Sequence, residues 1–339
     1  MAAALTFSGC SAPAPAPTPA EPAGKPPYRV YVTNESSGDL SVIDGATNKV
    51  THTMKLGKRP RGIRAHGGRL YVALSGSPMA PPGVDESKLP PPDRSADGIG
   101  EYDTNTNTVL RILPGGSDPE QFAITNDGKR LFVANEDAAA VSIVDVEAGK
   151  VTASVEVGEE PEGIMISPDG RIAYATSEND NLLTVIDTAA QKKIKQLKVG
   201  RRPRGIAFLP DGSRAYVTEE NGASLSVIDA ARHVVIKQIP LGSKEVKPMG
   251  IAVAPDGSRL YVTTGRFGKV FVIDPATDRI TASFPVGERP WGIGVTPDGK
   301  LLYTANGPSN DVSVVDAASG QVLSKIPVGD RPWGILIVQ

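Results

Sequence analysis

From Tyr28 onward, short apolar stretches alternate with tight polar turns, and the alternation recurs along the whole chain. The clearest stretch is RAYVTEE at Arg214–Glu220, with alternating and β-branched residues that suit a half-buried strand. Equivalents are centred on Tyr31, Tyr71, Phe132, Tyr174, Tyr216, Tyr261 and Tyr303. A shorter strand such as GIAFL precedes it, joined by a turn: NDG at Asn126 and PDG at Pro168, Pro210, Pro255 and Pro297. The glycine supplies the positive φ that a hairpin needs. A third strand ends in VID or a variant, at Asp44, Asp103, Asp145, Asp187, Asp229, Asp274 and Asp316. Each such Asp is expected to cap its own turn. A fourth strand follows, as in ITASFPVG. Four short strands with tight links predict an antiparallel meander.

The repeat has a marker, G-x-x-P before the first strand, with prolines at Pro60, Pro119, Pro161, Pro203, Pro248, Pro290 and Pro332. Their intervals are 59, 42, 42, 45, 42 and 42 residues. A period in the low forties without helical patterning is that of a four-stranded propeller blade. Second and third strands each occur seven times from Tyr31, whereas the first-strand series runs only from Gly62 to Ile335. The first unit therefore lacks its inner strand, and a spare one stands at Trp333–Val338. A ring satisfies both. The sequence predicts an all-β, seven-bladed β-propeller of four-stranded antiparallel blades over residues 28–339. Its C-terminal strand should pair with the blade begun by Tyr28–Thr53. The long interval holds an insertion over residues 75–98, whose Pro and Gly content excludes a strand. It is expected to be a surface excursion from the second blade, a lid or an irregular loop.

Composition narrows the function classes. The net charge of −2 argues against a nucleic-acid partner, which wants a clustered basic face. The single cysteine allows no intrachain disulfide. Residues 1–10, ending Gly9-Cys10, read as the tail of a lipoprotein signal, with lipidation at Cys10. Residues 11–27 are a Pro/Ala-rich linker of extended type. Together they predict export to the periplasm or cell exterior, with membrane contact through a lipid anchor.

The motif YVTN at Tyr31–Asn34 resembles the signature of the YVTN family of bacterial and archaeal propellers. KRPRGI, ANED, PEGIMISPDG, ATSE, RRPRGIAF, TANGPSNDVSVVD and the closing RPWGI are together similar to the PQQ-dependent catabolism-associated β-propeller proteins. That resemblance implies a periplasmic setting of pyrroloquinoline-quinone (PQQ)-dependent alcohol oxidation. It makes PQQ a conceivable ligand, and a quinoprotein dehydrogenase or cytochrome a conceivable partner. It implies no reaction of its own.

In a meander the links between blades share a face with the loops between strands two and three. Residues flanking the marker proline should therefore ring the mouth of the central channel. After the proline stand Arg61, Glu120, Glu162, Arg204, Met249, Trp291 and Trp333. Before it stand Arg59, Asp118, Glu160, Arg202, Lys247, Arg289 and Arg331. The ends of the second strands add Glu35, Glu136, Glu178 and Glu220. The candidate ligand-binding set is Arg59, Arg61, Arg202, Arg204, Arg289, Trp291, Arg331, Trp333, Glu35, Glu136, Glu162, Glu178 and Glu220. Arginine forks suit carboxylates or phosphates, and tryptophan faces suit a planar ring. PQQ, planar and tricarboxylate, would engage Arg61, Arg204, Trp291 and Trp333. The competing expectation is that Glu and Arg of neighbouring blades pair with one another and hold the ring.

The leading functional expectation is an exported, non-catalytic binding or scaffold protein for a small anionic molecule or a partner protein. The rival is a lactonase- or lyase-like propeller enzyme using Glu136, Glu178 and Glu220 as general bases: crowded carboxylates raise one another's pKa values, and the nearby arginines should pull them down again. A third is a tetrapyrrole-binding propeller related to nitrite-reductase propellers, which wants an axial His at the mouth. His52, His66 and His233 fall in separate blades, so neither that ligation nor a His-based metal site is expected. No metal site is assigned, and no catalytic residue.

Overall fold

The computed structural model describes Met1, residues 28–79 and residues 88–339. The signal-like segment, Cys10 and the linker lie outside the described residues, as does the middle of the insertion. The described chain forms seven four-stranded antiparallel sheets, ordered in sequence within each sheet except the first. There the order is Pro332–Val338, Arg29–Asn34, Asp39–Asp44, Lys49–Lys55, so the ring closes as its sequence requires. Numbering blades from Arg29, the other inner strands are Ile63–His66, Pro119–Ile124, Pro161–Ile166, Pro203–Phe208, Ile251–Val253 and Pro290–Val295.

The closing pair is antiparallel, with Arg29 opposite Val338 and Tyr31 opposite Leu336. Packing between blades supplies the core. Val30, Val32 and Ile43 of blade one bury against Tyr303, Val312 and Val314 of blade seven, with Ile335 and Ile337 alongside. The other seams repeat this layout, with the second-strand aromatics at their centres. Outer strands show one face to water and keep a single inward apolar residue near the end, such as Met54, Val155 and Leu197. All seven third-strand aspartates accept backbone N–H bonds from the turn that follows, as their position predicts.

Three local devices shape the channel mouth. The residue before the marker proline is left-handed in six blades: Arg59, Asp118, Glu160, Arg202, Arg289 and Arg331. This turns the chain sharply from the outer strand of one blade into the inner strand of the next. After the proline the inner strand carries one residue more than its partner. Pro161 lies opposite Ser177 while Ile164 lies opposite Ala175, and the same slip occurs in blades one, three, five and seven. Such bulges re-aim side chains, here those of Glu120, Glu162, Arg204, Trp291 and Trp333. The glycine after them permits close approach of neighbours: a Cβ on Gly163, Gly205, Gly250, Gly292 or Gly334 would strike the next blade's backbone carbonyl. Threonines of the second strands clamp those carbonyls. Thr33 donates to Arg61 O, Thr176 to Arg204 O, Thr218 to Met249 O and Thr263 to Trp291 O, at 2.7 to 3.1 Å.

The described parts of the insertion are tied to the same face. Arg59 donates to Ser77 O at 2.9 Å, Lys58 bonds Asp93 at 2.6 Å, and Arg94 pairs with Asp97 and Asp137. Ser75 donates to Asp118, and the Asp97 carboxylate receives the N–H groups of Gly76 and Asp118.

Candidate functional site

The predicted mouth residues do converge, and they sort into two arginine hubs and one aromatic sector. At the first hub Arg61 Nε lies 2.8 Å from Glu35 Oε1, and its Nη1 contacts Glu120. Arg59 lies 3.4 Å from Glu35, 3.9 Å from Asp118 and 4.0 Å from Glu120. At the second hub Arg204 reaches Glu162 at 3.1 Å, Glu178 at 2.9 Å and Glu220 at 2.6 Å. Arg202 joins Glu178 at 2.7 Å and Glu220 at 3.0 Å. Each hub draws carboxylates from more than one blade, so these charges pair with one another across the seams. Largely buried guanidinium groups in such a network are held charged: Arg61 and Arg204 have their pKa values pushed up by the surrounding carboxylates, against burial.

Glu136 is the exception. Among the described residues it makes no ion pair, and it sits with Asp118 and Glu120, their oxygens within 4.8 Å of one another. Burial first, and then the charges of Glu162 and Asp118, push its carboxyl up to about 7. This corrects the expectation that nearby arginines hold these glutamates down. Glu178 departs from it as well: although it bonds Arg202 and Arg204, burial first, and then the charges of Glu162 and Glu136, push its carboxyl up. Glu35 and Glu220, directly bonded to arginine, do follow that expectation, with the arginines outweighing burial. The trio has the oxygen donors a hard cation takes, but Arg59 and Arg61 already supply its positive charge.

The remaining sector is built differently. Trp291 and Trp333 lie side by side, ring centroids 6.0 Å apart and planes 33° apart. Three arginines flank them: Arg289 at 4.8 Å and Arg204 at 5.6 Å from the Trp291 ring, and Arg61 at 5.9 Å from Trp333. Arg289 and Arg331 make no ion pair among the described residues. The buried indole nitrogen of Trp333 has no hydrogen-bond partner. The mouth thus divides into a neutralised acid–base half and an aromatic half with spare positive charge.

Below it a cavity of about 210 Å³ runs into the channel. Glu162, Arg204, Met249, Trp291 and Trp333 form its upper wall, and Ile164, Ile206, Ile251, Ile293 and Ile335 its lower wall. Two residues absent from the predicted set also line it, Arg64 and Gln121. Both break the repeat: Gln121 stands where six blades have glycine, and Arg64 where the others have Ala, Met, Gly or Leu. That irregularity was the available signal. Asp118 and Glu120 also join the site as partners of the first hub. The three histidines do not meet; His233 instead bonds Tyr174 OH at 2.8 Å.

The description "YNCE-like beta-propeller" attaches to a family profile matching residues 97–214, and "Lactonase, 7-bladed beta-propeller" to one matching residues 187–326. No curated protein matches the chain. Among solved structures it is similar to Kuenenia stuttgartiensis hydrazine synthase, with TM-score 0.69 and 22% identity over 84% of this chain and 91% of that one. A functionally unknown protein from Desulfotomaculum acetoxidans gives 0.75 and 17%, over 92% and 99% of the two chains. A candidate 6-phosphogluconolactonase from Bacteroides uniformis gives 0.74 and 18%, over 92% and 99%. At these identities the likeness is one of fold: the chain is a seven-bladed β-propeller with a charged and aromatic channel mouth.

Proposed function

We propose that the protein binds a small, planar, anionic molecule at the channel mouth, between Trp291 and Trp333 and against Arg289 and Arg331. One observation carries this reading: Arg289 lies 4.8 Å from the Trp291 ring of the tryptophan pair, and it makes no ion pair among the described residues. Aromatic faces with uncommitted guanidinium groups match a planar ring bearing carboxylates. The resemblance noted in the sequence makes PQQ the first ligand to try. It extends the proposal to an exported binding or scaffold protein, lipid-anchored at Cys10, beside periplasmic quinoprotein oxidation. The chain has two tryptophans and both are at the site, so their emission reports on occupancy directly. Titration with PQQ should quench it, and Trp291→Phe with Trp333→Leu should weaken binding at least tenfold by calorimetry, about 1.4 kcal/mol. No heat and no quenching with PQQ removes that ligand. The same silence with a panel of aromatic carboxylates removes the reading.

A second reading rests on Glu136, whose carboxyl near 7 and lack of an ion pair among the described residues suit a general base. The partial match to seven-bladed lactonases suggests a lactone as substrate. Turnover of sugar lactones, abolished by Glu136→Gln, would move the assignment from binding to hydrolysis.

A further inference from the structure

Arg64 is the one charged residue of the inner strands beyond the mouth that lines the cavity, three residues past Arg61. At about 3.3 Å per strand residue its backbone lies roughly 10 Å further in. Among the described residues its only bond is to the carbonyl of its own neighbour Ile63, at 2.8 Å. Arg64 is half-buried, and a guanidinium with five N–H donors in a fixed fork is matched by an anion that can reach it. Here the surroundings are isoleucines, and no carboxylate pairs with it among the described residues. Gln121, on the same wall, has an Oε1 with no hydrogen-bond partner. With the indole nitrogen of Trp333, two unsatisfied polar atoms and one unpaired guanidinium line the same cavity.

We propose that Arg64 is the deep anchor of the ligand site: the occupant is an elongated anion, with its ring at the tryptophans and an apolar stem along the isoleucines. Its terminal carboxylate or sulfonate forks onto Arg64, with the Gln121 amide beside it. This rests on reading the mouth as a ligand site, and adds the length and second charge of what enters. Burial depresses the Arg64 pKa to about 10, so the group stays charged near neutral pH and still needs a counter-ion.

Two probes separate the levels. Benzoate can use the mouth alone, whereas phenylhexanoate can place its ring at the mouth and its carboxylate at Arg64. Calorimetric titration of the full chain should show phenylhexanoate binding at least tenfold tighter than benzoate. Arg64→Met should abolish that advantage and leave benzoate unchanged. Arg64→Lys, which keeps the charge and loses the fork, should retain part of it. Arg64→Met removes an unpaired charge from an apolar wall, so its melting temperature should not fall. If both acids bind but Arg64→Met leaves the difference intact, the deep anchor is wrong and the mouth reading survives. If neither acid binds, the mouth reading fails and this proposal with it.

Discussion

Glu136 shows how one residue departs from its repeat. Its counterparts Glu35, Glu178 and Glu220 each bond an arginine, and Glu136 does not. Its folded-state pKa of about 7 lies above the ordinary glutamate value. An acid raised on folding contributes stability fully below its unfolded pKa and loses it as pH rises through the folded value. Stability should therefore fall between about pH 4.5 and pH 7 through this group. Glu136→Gln should melt higher than the parent at pH 8 and match it at pH 4.5, as thermal scans at both values would show. Equal melting temperatures at pH 8 would mean that the carboxylate is already solvated. The sequence placed Glu136 correctly at the mouth because repeat position fixes location. It could not reveal the missing partner, because pairing depends on which blade's arginine reaches across which seam. Arg64 and Gln121 were not legible for a related reason: a repeat position signals what recurs, and these two side chains replace the recurring apolar residue and glycine.

At the scale of the strand, the P-x-G sequence does three jobs at once. The left-handed residue before it makes the turn between blades. The bulge turns the next side chain to the channel, and the glycine lets the adjacent blade close in. A methyl group at Gly163 would collide with the Arg204 carbonyl, which Thr176 already holds. Gly163→Ala should destabilise by about 1–3 kcal/mol, as overpacking typically does. It should also disturb Arg204 and its carboxylates, visible together as a lower denaturation midpoint and weaker ligand binding. An unchanged midpoint would show that the seam has room to relax. Strand order, turn aspartates and blade count were legible in the sequence because each rests on local periodicity and turn chemistry. The bulges were not, since an extra residue is defined only against a partner strand.

For the whole molecule, the ring depends on one strand. Without Pro332–Val338 the edge of Arg29–Asn34 loses its partner, and the first and last blades lose Ile335 and Ile337 from their shared core. An open edge beside exposed apolar surface invites association. A chain lacking residues 332–339 should show no cooperative melting and should aggregate. A synthetic peptide spanning Asp330–Gln339 should restore monomeric protein by strand addition. A truncated chain that melts cooperatively as a monomer would refute the closure.

The same pairing sets a timetable during synthesis. The inner strand of the first blade leaves the ribosome roughly 300 residues after its partner, a delay of about 15–60 s at typical elongation rates. Throughout that interval the nascent first blade carries a bare edge. Arg331 and Trp333 arrive with the closing strand, so a nascent chain cannot hold ligand there. On the proposed binding reading, occupancy of the mouth would mark molecules that have finished folding.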